Sequence, residues 1–572
     1  MESDSESDAR IEKSSFDALC SKITIYLPDN WRRLFVSGLV ITLFSILHVL
    51  LGMQVRGVYG FSFDDSWIHV QYARSIFVGK PWEYSLGIPS TGSSGPLWSV
   101  VLVPIFLFGY ARDTVVTSVL FIASLFYIID TFLVGEIVKQ ITDRWVTGVV
   151  AQVVFVLVPR NAGLMLSGME TPLGMLMLLL SLYLLPKQNW KYDPILGVIA
   201  GLAYLCRPEF VLIAALCFPI RAIWVLKIDR LNPKRVLSIL SMFALAVVVV
   251  APWVLHCLNT TGLPLPDSYY SKMRWGVTED ALDLWRFFWY KVWFPLEPYL
   301  LLGFLGGIVV AAKGHPFEGI LSVSLFFLYE TTMPSTALLF AARYLVPLYD
   351  ILAISFVAGS TLFLDWYMGW SQKPKKGFFI VIIVAACILS IVVTLMAILA
   401  IVIAVFLYII KSPSSEEKRV YIIIIIAVLF FPSIDSYNIH IDIHARQTEN
   451  ISTMQVTLAQ WASGHLPENA TIATYDVGAI GYFFYPRTVI DLYGLVTPRI
   501  LHNLTDLTDQ VRYLREIGCN YMMFYVEWMG GYIWALRNAG AAPIELTRAH
   551  LNDNVVCGTD NMAIYEIDWD HY

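Results

Sequence analysis

Two adjacent carboxylates, Asp64 and Asp65, follow the first hydrophobic stretch, in the run Phe61-Ser-Phe-Asp-Asp-Ser-Trp-Ile-His-Val-Gln-Tyr-Ala-Arg74. An acid at the water–lipid boundary can take a proton from a hydroxyl in water while the other reactant's tail stays in the membrane. Capping the following helix would explain Asp65 but needs only one acid. Further polar residues stand at the ends of other apolar runs. Glu170 lies in Ser167-Gly-Met-Glu-Thr-Pro172, and Arg207 and Glu209 lie in Cys206-Arg-Pro-Glu209. Trp253 and His256 precede Thr261-Gly-Leu-Pro-Leu-Pro-Asp-Ser-Tyr-Tyr-Ser-Lys272, which carries Tyr269, and Arg343 opens Arg343-Tyr-Leu-Val-Pro347. Each has a plain explanation alone: cations at span ends snorkel to headgroups, and Glu209 can pair with Arg207. Their gathering on one face is not explained that way, because snorkelling cations favour the cytoplasmic ends.

The elements that must position these residues are membrane helices. The chain is 57% apolar and 15% charged over 572 residues, and apolar runs recur from residue 34 to about 436, as in a polytopic membrane protein. The net charge of −6 says little about partners, since it is divided between two aqueous faces. Residues 1–33 read as a disordered cytoplasmic tail, and the first apolar run as a signal anchor without a cleavage site. Basic loops at Arg221–Arg235, Trp366–Lys376 and Lys411–Arg419 are assigned to the cytoplasm. The run after Lys376 is too long for one crossing, so it reads as a hairpin, 378–394 and 396–411, followed by an exit at 420–436. Residues 96–110 begin with Gly95-Pro96 and are too short to span comfortably, so they are placed in the outer interface. These assignments predict about 13 spans in a domain covering 34–436, a first exterior loop at 56–113, and an exterior domain at 437–572. N-x-[ST] tripeptides at Asn259, Asn450, Asn469 and Asn503 all fall on the predicted exterior face.

Within the first loop, Ser66–Val78 reads as an amphipathic helix resting in the interface, with its Trp and Tyr at headgroup depth and His69 and Arg74 elsewhere on its surface. The tail reads as an α/β domain. It has helices at Ile451–Leu466 and Thr508–Ile517 and strands at Thr471–Tyr475, Thr488–Leu492, Tyr521–Val526 and Met562–Ile567. The Gly478-Ala-Ile-Gly481 turn lacks the full glycine fingerprint of a nucleotide loop, so the domain is expected to recognise an acceptor or close over the site. Cys519 and Cys557 share this domain; a disulfide between them is left open by sequence. No His/Cys cluster has zinc spacing. The acid pair with Glu170 or Glu209 offers oxygen ligands for a divalent ion, but no metal or other cofactor is expected.

The ordered motifs resemble the GT-C superfamily of membrane glycosyltransferases, which take a sugar from a polyprenyl-phosphate carrier, and within it the branch of cell-wall arabinofuranosyltransferases. The resemblance rests on Asp64-Asp65, Thr91-Gly-Ser-Ser-Gly-Pro-Leu-Trp98, Ser167-Gly-Met-Glu-Thr171, Arg207-Pro-Glu209, Gly262–Lys272 and Arg343-Tyr-Leu345. It continues through Tyr475-Asp-Val-Gly-Ala-Ile-Gly481 and Ile490-Asp-Leu-Tyr-Gly494. Asp267-Ser268 stands where that family commonly has Asn-Thr. The resemblance implies a mainly α, GT-C-like bundle bearing an extracytoplasmic α/β domain, with Asp64 as the catalytic acid and Asp65 its neighbour. It also includes metal-dependent oligosaccharide transferases, although these motifs look more like the monosaccharide-transferring members.

The expected activity is inverting transfer of a monosaccharide from a polyprenyl phosphate to an acceptor hydroxyl on a glycan, lipid or protein. Lys272, Arg343, Arg207 and His256 are the candidates for the donor phosphate, and Glu170, Glu209, His69 and Tyr269 for the substrates. The setting would be a plasma membrane, or the endoplasmic reticulum of a eukaryote, with the site extracytoplasmic and no nucleic-acid partner. The rival is a transporter or flippase: Asp130 and Asp350 are intramembrane carboxylates of the kind that mark a proton path.

Overall fold

Helix α1 (Trp31–Val55) is 25 residues long and apolar, about 37 Å at 1.5 Å per residue and so longer than a bilayer core. The computed structural model describes residues 30–187, 189–228, 232–275, 298–314, 346–370, 436–504 and 506–570. Among them, four helices are long and apolar enough to cross a membrane. They are α1, Arg112–Thr142, Pro233–Thr261 and Val346–Phe363. The chain is thus an integral membrane protein. The expected hairpin at 378–411 and exit at 420–436, on which part of the 13-span count rests, lie outside the described residues.

Between the long helices the chain uses shorter pieces. In order these are α2 (Asp65–Phe77), α3 (Pro96–Leu102), α4 (Arg112–Thr142), α5 (Trp145–Leu157), α6 (Thr171–Leu184), α7 (Asp193–Cys206), α8 (Val211–Ile228), α9 (Pro233–Thr261), α10 (Asp267–Trp275), α11 (Pro298–Ala312) and α12 (Val346–Trp370). Small residues let the helices approach closely. A Cβ on Gly197 of α7 would sit 2.1 Å from the Met242 carbonyl of α9, and one on Gly306 of α11 would sit 2.2 Å from the Ser355 carbonyl of α12. The segment expected in the outer interface is short here too. Helix α3 passes into a 3-10 turn, Val103–Leu107, ending in the exposed Leu107 and Phe108.

The C-terminal part begins with a helix over residues 436–451 (α13), which continues through a π turn, Ser452–Val456, into α14 (Thr457–His465). The expected domain start at 437 falls inside α13. Its first turns run alongside α1: Tyr437 Oη lies 2.8 Å from Ser45 Oγ, and Ile441 packs where a side chain on Gly52 would be. After α14 come β3 (Thr471–Thr474), α15 (Gly478–Phe483), β4 (Thr488–Asp491), α16 (Pro498–Asn503), α17 (Leu507–Glu516), β5 (Tyr521–Tyr525), α18 (Gly530–Asn538), β6 (Ala542–His550) and β7 (Asn561–Asp568), a small hairpin β1 (Glu83–Ser85) and β2 (Ile88–Pro89) having formed earlier in the chain. The five C-terminal strands form one sheet in the order β4-β3-β5-β7-β6. Strand β3 runs parallel to β4 and β5, and β7 runs antiparallel to β5 and β6.

One expectation is corrected. Helix α2 does not rest in the interface. Every residue from Ser66 to Ser75 is buried, including His69, Gln71 and Arg74, because α3 covers one side and α15 another. Asn450 is buried and engaged, donating to the Asp553 carbonyl and accepting from the Val555 amide, both at 2.8 Å. Cys519 and Cys557 are free; Cys519 lies in the core beneath the sheet, whereas Cys557 faces Gln455.

Candidate active site

Asp64 occupies the cap position of α2, yet its carboxylate makes no cap bond. It turns toward the C-terminal part. The Gly478 amide donates to its Oδ2 at 2.6 Å and the Ala479 amide to its Oδ1 at 2.8 Å. Both donors belong to the first turn of α15, where amides have no partner within the helix. Glycine is required at 478, since a Cβ there would lie 1.9 Å from the Asp64 carbonyl oxygen. The same holds at Gly481, where a Cβ would lie 2.1 Å from Tyr84 Oη. The Gly-Ala-Ile-Gly turn is therefore a seat for α2 and β1. Tyr84 Oη also donates to the Val477 carbonyl at 2.5 Å, and Arg74 donates to the Tyr482 carbonyl at 2.8 Å with its guanidinium over the rings of Tyr482 and Tyr485.

A third carboxylate enters from this turn. Asp476 Oδ2 accepts from Gln455 Nε2 at 2.9 Å and from Tyr525 Oη. Gln455 lies in the π turn, a local helix insertion of the kind found at functional sites. Around these acids the chain is closed. Residues 61–63, 66–75 and 477–482 are buried, and Asp64, Asp65 and Asp476 keep partial exposure. The three acids are thus partly exposed positions among segments that are otherwise packed. Burial raises the pKa of Asp64 above the ordinary carboxylate range, the Asp476 charge adds to this, and the two amides oppose it. Asp476 is likewise raised by burial, with its bonds from Tyr525 and Gln455 opposing.

Behind Asp64 lies a second cluster. His69 Nε2 is 3.2 Å from Glu170 Oε2, and Arg207 Nε donates to Glu170 Oε1 at 2.7 Å. All three side chains are 2–4% exposed. Arg207 also reaches Thr171 Oγ1, and His69 Nδ1 stands 3.4 Å from Ser99 Oγ. The loop Thr91–Trp98 covers this cluster: a Cβ on Gly95 would meet the Cys206 carbonyl and Glu170, and Trp98 Nε1 donates to the Gly168 carbonyl at 3.0 Å. Three motifs far apart in sequence are here one packed unit.

A third group joins the loop after α9 to the C-terminal part. The Asp267 amide donates to Thr91 Oγ1 at 3.2 Å, and Asp267 Oδ1 lies 2.7 Å from His502 Nε2. Ser271 Oγ donates to the Tyr493 carbonyl at 3.0 Å. Asp491 holds the turn of Ile490–Gly494, accepting from the Tyr493 and Val496 amides at 2.7 and 2.9 Å.

The sequence-predicted residues therefore separate. Asp64 and Asp65 keep partial exposure, while His69, Glu170 and Arg207 form the buried cluster. His256 stacks on Trp253 and directs Nε2 at the Ser90 carbonyl, 3.1 Å away, so this nitrogen acts as a donor to backbone. Glu209 is half-buried on the 3-10 turn Pro208–Phe210. Tyr269 is half-buried on α10. Lys272 belongs to the same helix, but its side chain, like all of Arg343, lies outside the described residues. Sequence reasoning missed Asp476, although it stands inside the quoted Tyr475–Gly481 motif. Among the described residues no group of three or more His, Cys, Asp or Glu side chains is arranged to hold a metal ion.

A family described as a domain of unknown function (DUF8728) matches residues 442–565. No curated protein matches the sequence. Among solved structures, the fold is similar to that of ArnT from Cupriavidus metallidurans bound to undecaprenyl phosphate, at 14% identity and a TM-score of 0.51, over 94% of this chain and 98% of that one. The Archaeoglobus fulgidus oligosaccharyltransferase, tethered to an acceptor peptide, matches at 10% identity and a TM-score of 0.46, over 89% and 73% of the two chains. The chain thus shares the fold of ArnT from Cupriavidus metallidurans.

Proposed function

We propose that the chain is an inverting glycosyltransferase that moves a monosaccharide from a polyprenyl phosphate to an acceptor hydroxyl, with Asp64 as general base. One observation carries this reading: an acid fixed by two amides stands in the field of two more acids, in a fold shared with a protein that holds undecaprenyl phosphate. A raised pKa suits a base that must take and later release a proton near neutral pH. The acceptor hydroxyl passes its proton to Asp64 as its oxygen bonds to the anomeric carbon. The bond from that carbon to the lipid phosphate breaks, and the phosphate leaves with the electron pair.

Negative charge then develops on the phosphate, which calls for a cation beside it. At an effective dielectric near 20, one cation about 4 Å away contributes about 4 kcal/mol before desolvation. With Arg207 engaged by Glu170 and His256 Nε2 by the Ser90 carbonyl, Lys272 and Arg343 are the proposed cations. Arg207, Glu170 and His69 instead brace α2 behind Asp64. Glu209, on the 3-10 turn after Arg207, and Tyr269, on α10, remain proposed substrate contacts. We place the site and the C-terminal sheet on the extracytoplasmic side.

The test is incubation of the purified protein with radiolabelled polyprenyl-phosphate sugars and an acceptor extract, following consumption of the lipid. The transporter reading draws on Asp130 and Asp350, both fully buried among membrane helices, Asp350 receiving Asn161. Under that reading the labelled lipid stays intact. No cofactor is proposed, and turnover is expected to survive a chelator.

A further inference from the structure

Asp476 is bound in a way that does not need its charge. Its two donors, Gln455 Nε2 and Tyr525 Oη, both reach Oδ2, and the carbonyl oxygen of an asparagine accepts two hydrogen bonds equally well. Among the described residues Asp476 makes no ion pair. Keeping a second carboxylate in this packed corner, in the field of Asp64 and Asp65, is unfavourable, because like charges disfavour each other's ionisation. A purely structural role does not account for an acid at this position.

The backbone gives this acid a fixed place. Val477 is tied through its carbonyl to Tyr84 Oη, and Gly478 and Ala479 are tied through their amides to Asp64. The segment 476–479 therefore has no slack relative to the start of α2. Asp476 and Asp64 are both partly exposed within segments that are otherwise buried, and the Asp476 charge is felt at the Asp64 carboxyl, so the two acids are neighbours.

We infer that Asp476 is a second catalytic carboxylate, which together with Asp64 holds the attacking hydroxyl of the acceptor. The C-terminal part then completes the reacting centre. This rests on the glycosyl-transfer reading: Asp64 receives the proton, and Asp476 accepts a hydrogen bond from the acceptor and orients its oxygen toward the anomeric carbon. No further reactant is needed. The titratable groups facing the pair are Asp65 at the start of α2, Tyr84 of β1, Tyr525 of β5, Tyr493 after β4, and Cys557.

The experiment is Asp476→Asn in the full chain, assayed for lipid-linked sugar consumption across pH beside Asp64→Asn. Turnover of Asp476→Asn should fall about 10²-fold, with the melting temperature held or raised. Its acid limb should move to lower pH, because Asp64 ionises more readily without the neighbouring charge. Asp476→Glu should restore part of the rate. An unchanged rate with an unmoved acid limb in Asp476→Asn, while Asp64→Asn is dead, overturns this inference and leaves the glycosyl-transfer reading standing. Turnover by Asp64→Asn overturns both. Should Asp476→Asn fail to fold, Tyr525→Phe removes one donor and keeps the charge: a displaced acid limb supports the inference and an unmoved one overturns it.

Discussion

Asp64 and Glu170 are acids of the same neighbourhood held in opposite ways. Glu170 lies inside, its charge met by Arg207 and facing His69. Asp64 sits at a partly exposed position and is held by two amides, with Asp476 raising rather than lowering its pKa. A carboxylate sealed inside and met by a cation is a brace, because removing either partner leaves the other charge buried and uncompensated. A carboxylate fixed by neutral donors beside another acid keeps both a geometry and an appetite for protons. The difference predicts that the first fails by unfolding and the second by inactivity.

Asp64→Asn gives the largest effect. Transfer should fall by about 10³-fold or more, with the melting temperature of the detergent-solubilised protein unchanged or higher, since burial already disfavours the charge. In the unsubstituted protein the base must be ionised, and its pKa is raised. The rate should therefore climb with pH beyond the ordinary carboxylate range and level off only above the raised value. A rate flat from pH 5 upward would break the contrast, because it would make Asp64 an ordinary ionised acid.

Arg207→Met tests the other half. Removing one partner of a buried pair leaves Glu170 uncompensated, at a cost of about 3–5 kcal/mol. The measurement is thermal or denaturant unfolding. Protein that remains folded should keep the acid limb of its rate profile, since the base is elsewhere. A shifted limb with full stability would place Arg207 in the reacting centre and undo the distinction.

This contrast was only half legible in the sequence. The acid pair, the start of α2 and strands β3, β4, β5 and β7 follow from patterning, because apolar runs and turn residues are local signals. That His69, Glu170 and Arg207 share one cluster is a tertiary fact, with more than a hundred residues between its ends. Strand β6 was hidden because Ala-Pro-Ile-Glu-Leu-Thr-Arg-Ala-His carries Pro543 and charges, as edge strands do. Helix α13 was hidden because Ile439-His-Ile-Asp-Ile443 alternates with period two, which packing against α1 overrides. Asp476 sat in view beside a glycine turn that suggested, then failed, a nucleotide fingerprint. Its glycines serve the close approach of α2, and only the folded backbone reveals what they approach.

Gly478→Ala sharpens the comparison by moving Asp64 without changing any charge. Its methyl would meet the Asp64 carbonyl at 1.9 Å, so the two backbones must part and the amide bonds must lengthen. Forced overpacking costs about 1–3 kcal/mol, less than losing the Arg207 pair, yet turnover should drop far more than stability does. Gly464→Ala is the control, since nothing lies within 4 Å of a Cβ there. Equal behaviour of the two variants would mean that the seat on α15 does not position the acid.

The smallest effect belongs to charges that are paired but open. Arg56 donates to Asp442 at 2.7 Å and to Glu449 at 3.1 Å, with all three side chains 30–53% exposed. Solvent and salt screen such pairs, which contribute at most about 1 kcal/mol. Arg56→Ala should therefore shift unfolding slightly, less so in high salt, and leave the rate and its pH dependence alone. The docking of α13 on α1 rests instead on buried contacts, Ser45 with Tyr437 and Gly52 with Ile441. A large loss of activity in Arg56→Ala would show that the joint between membrane helices and the C-terminal part is held electrostatically, and that the closed geometry over Asp64 depends on it.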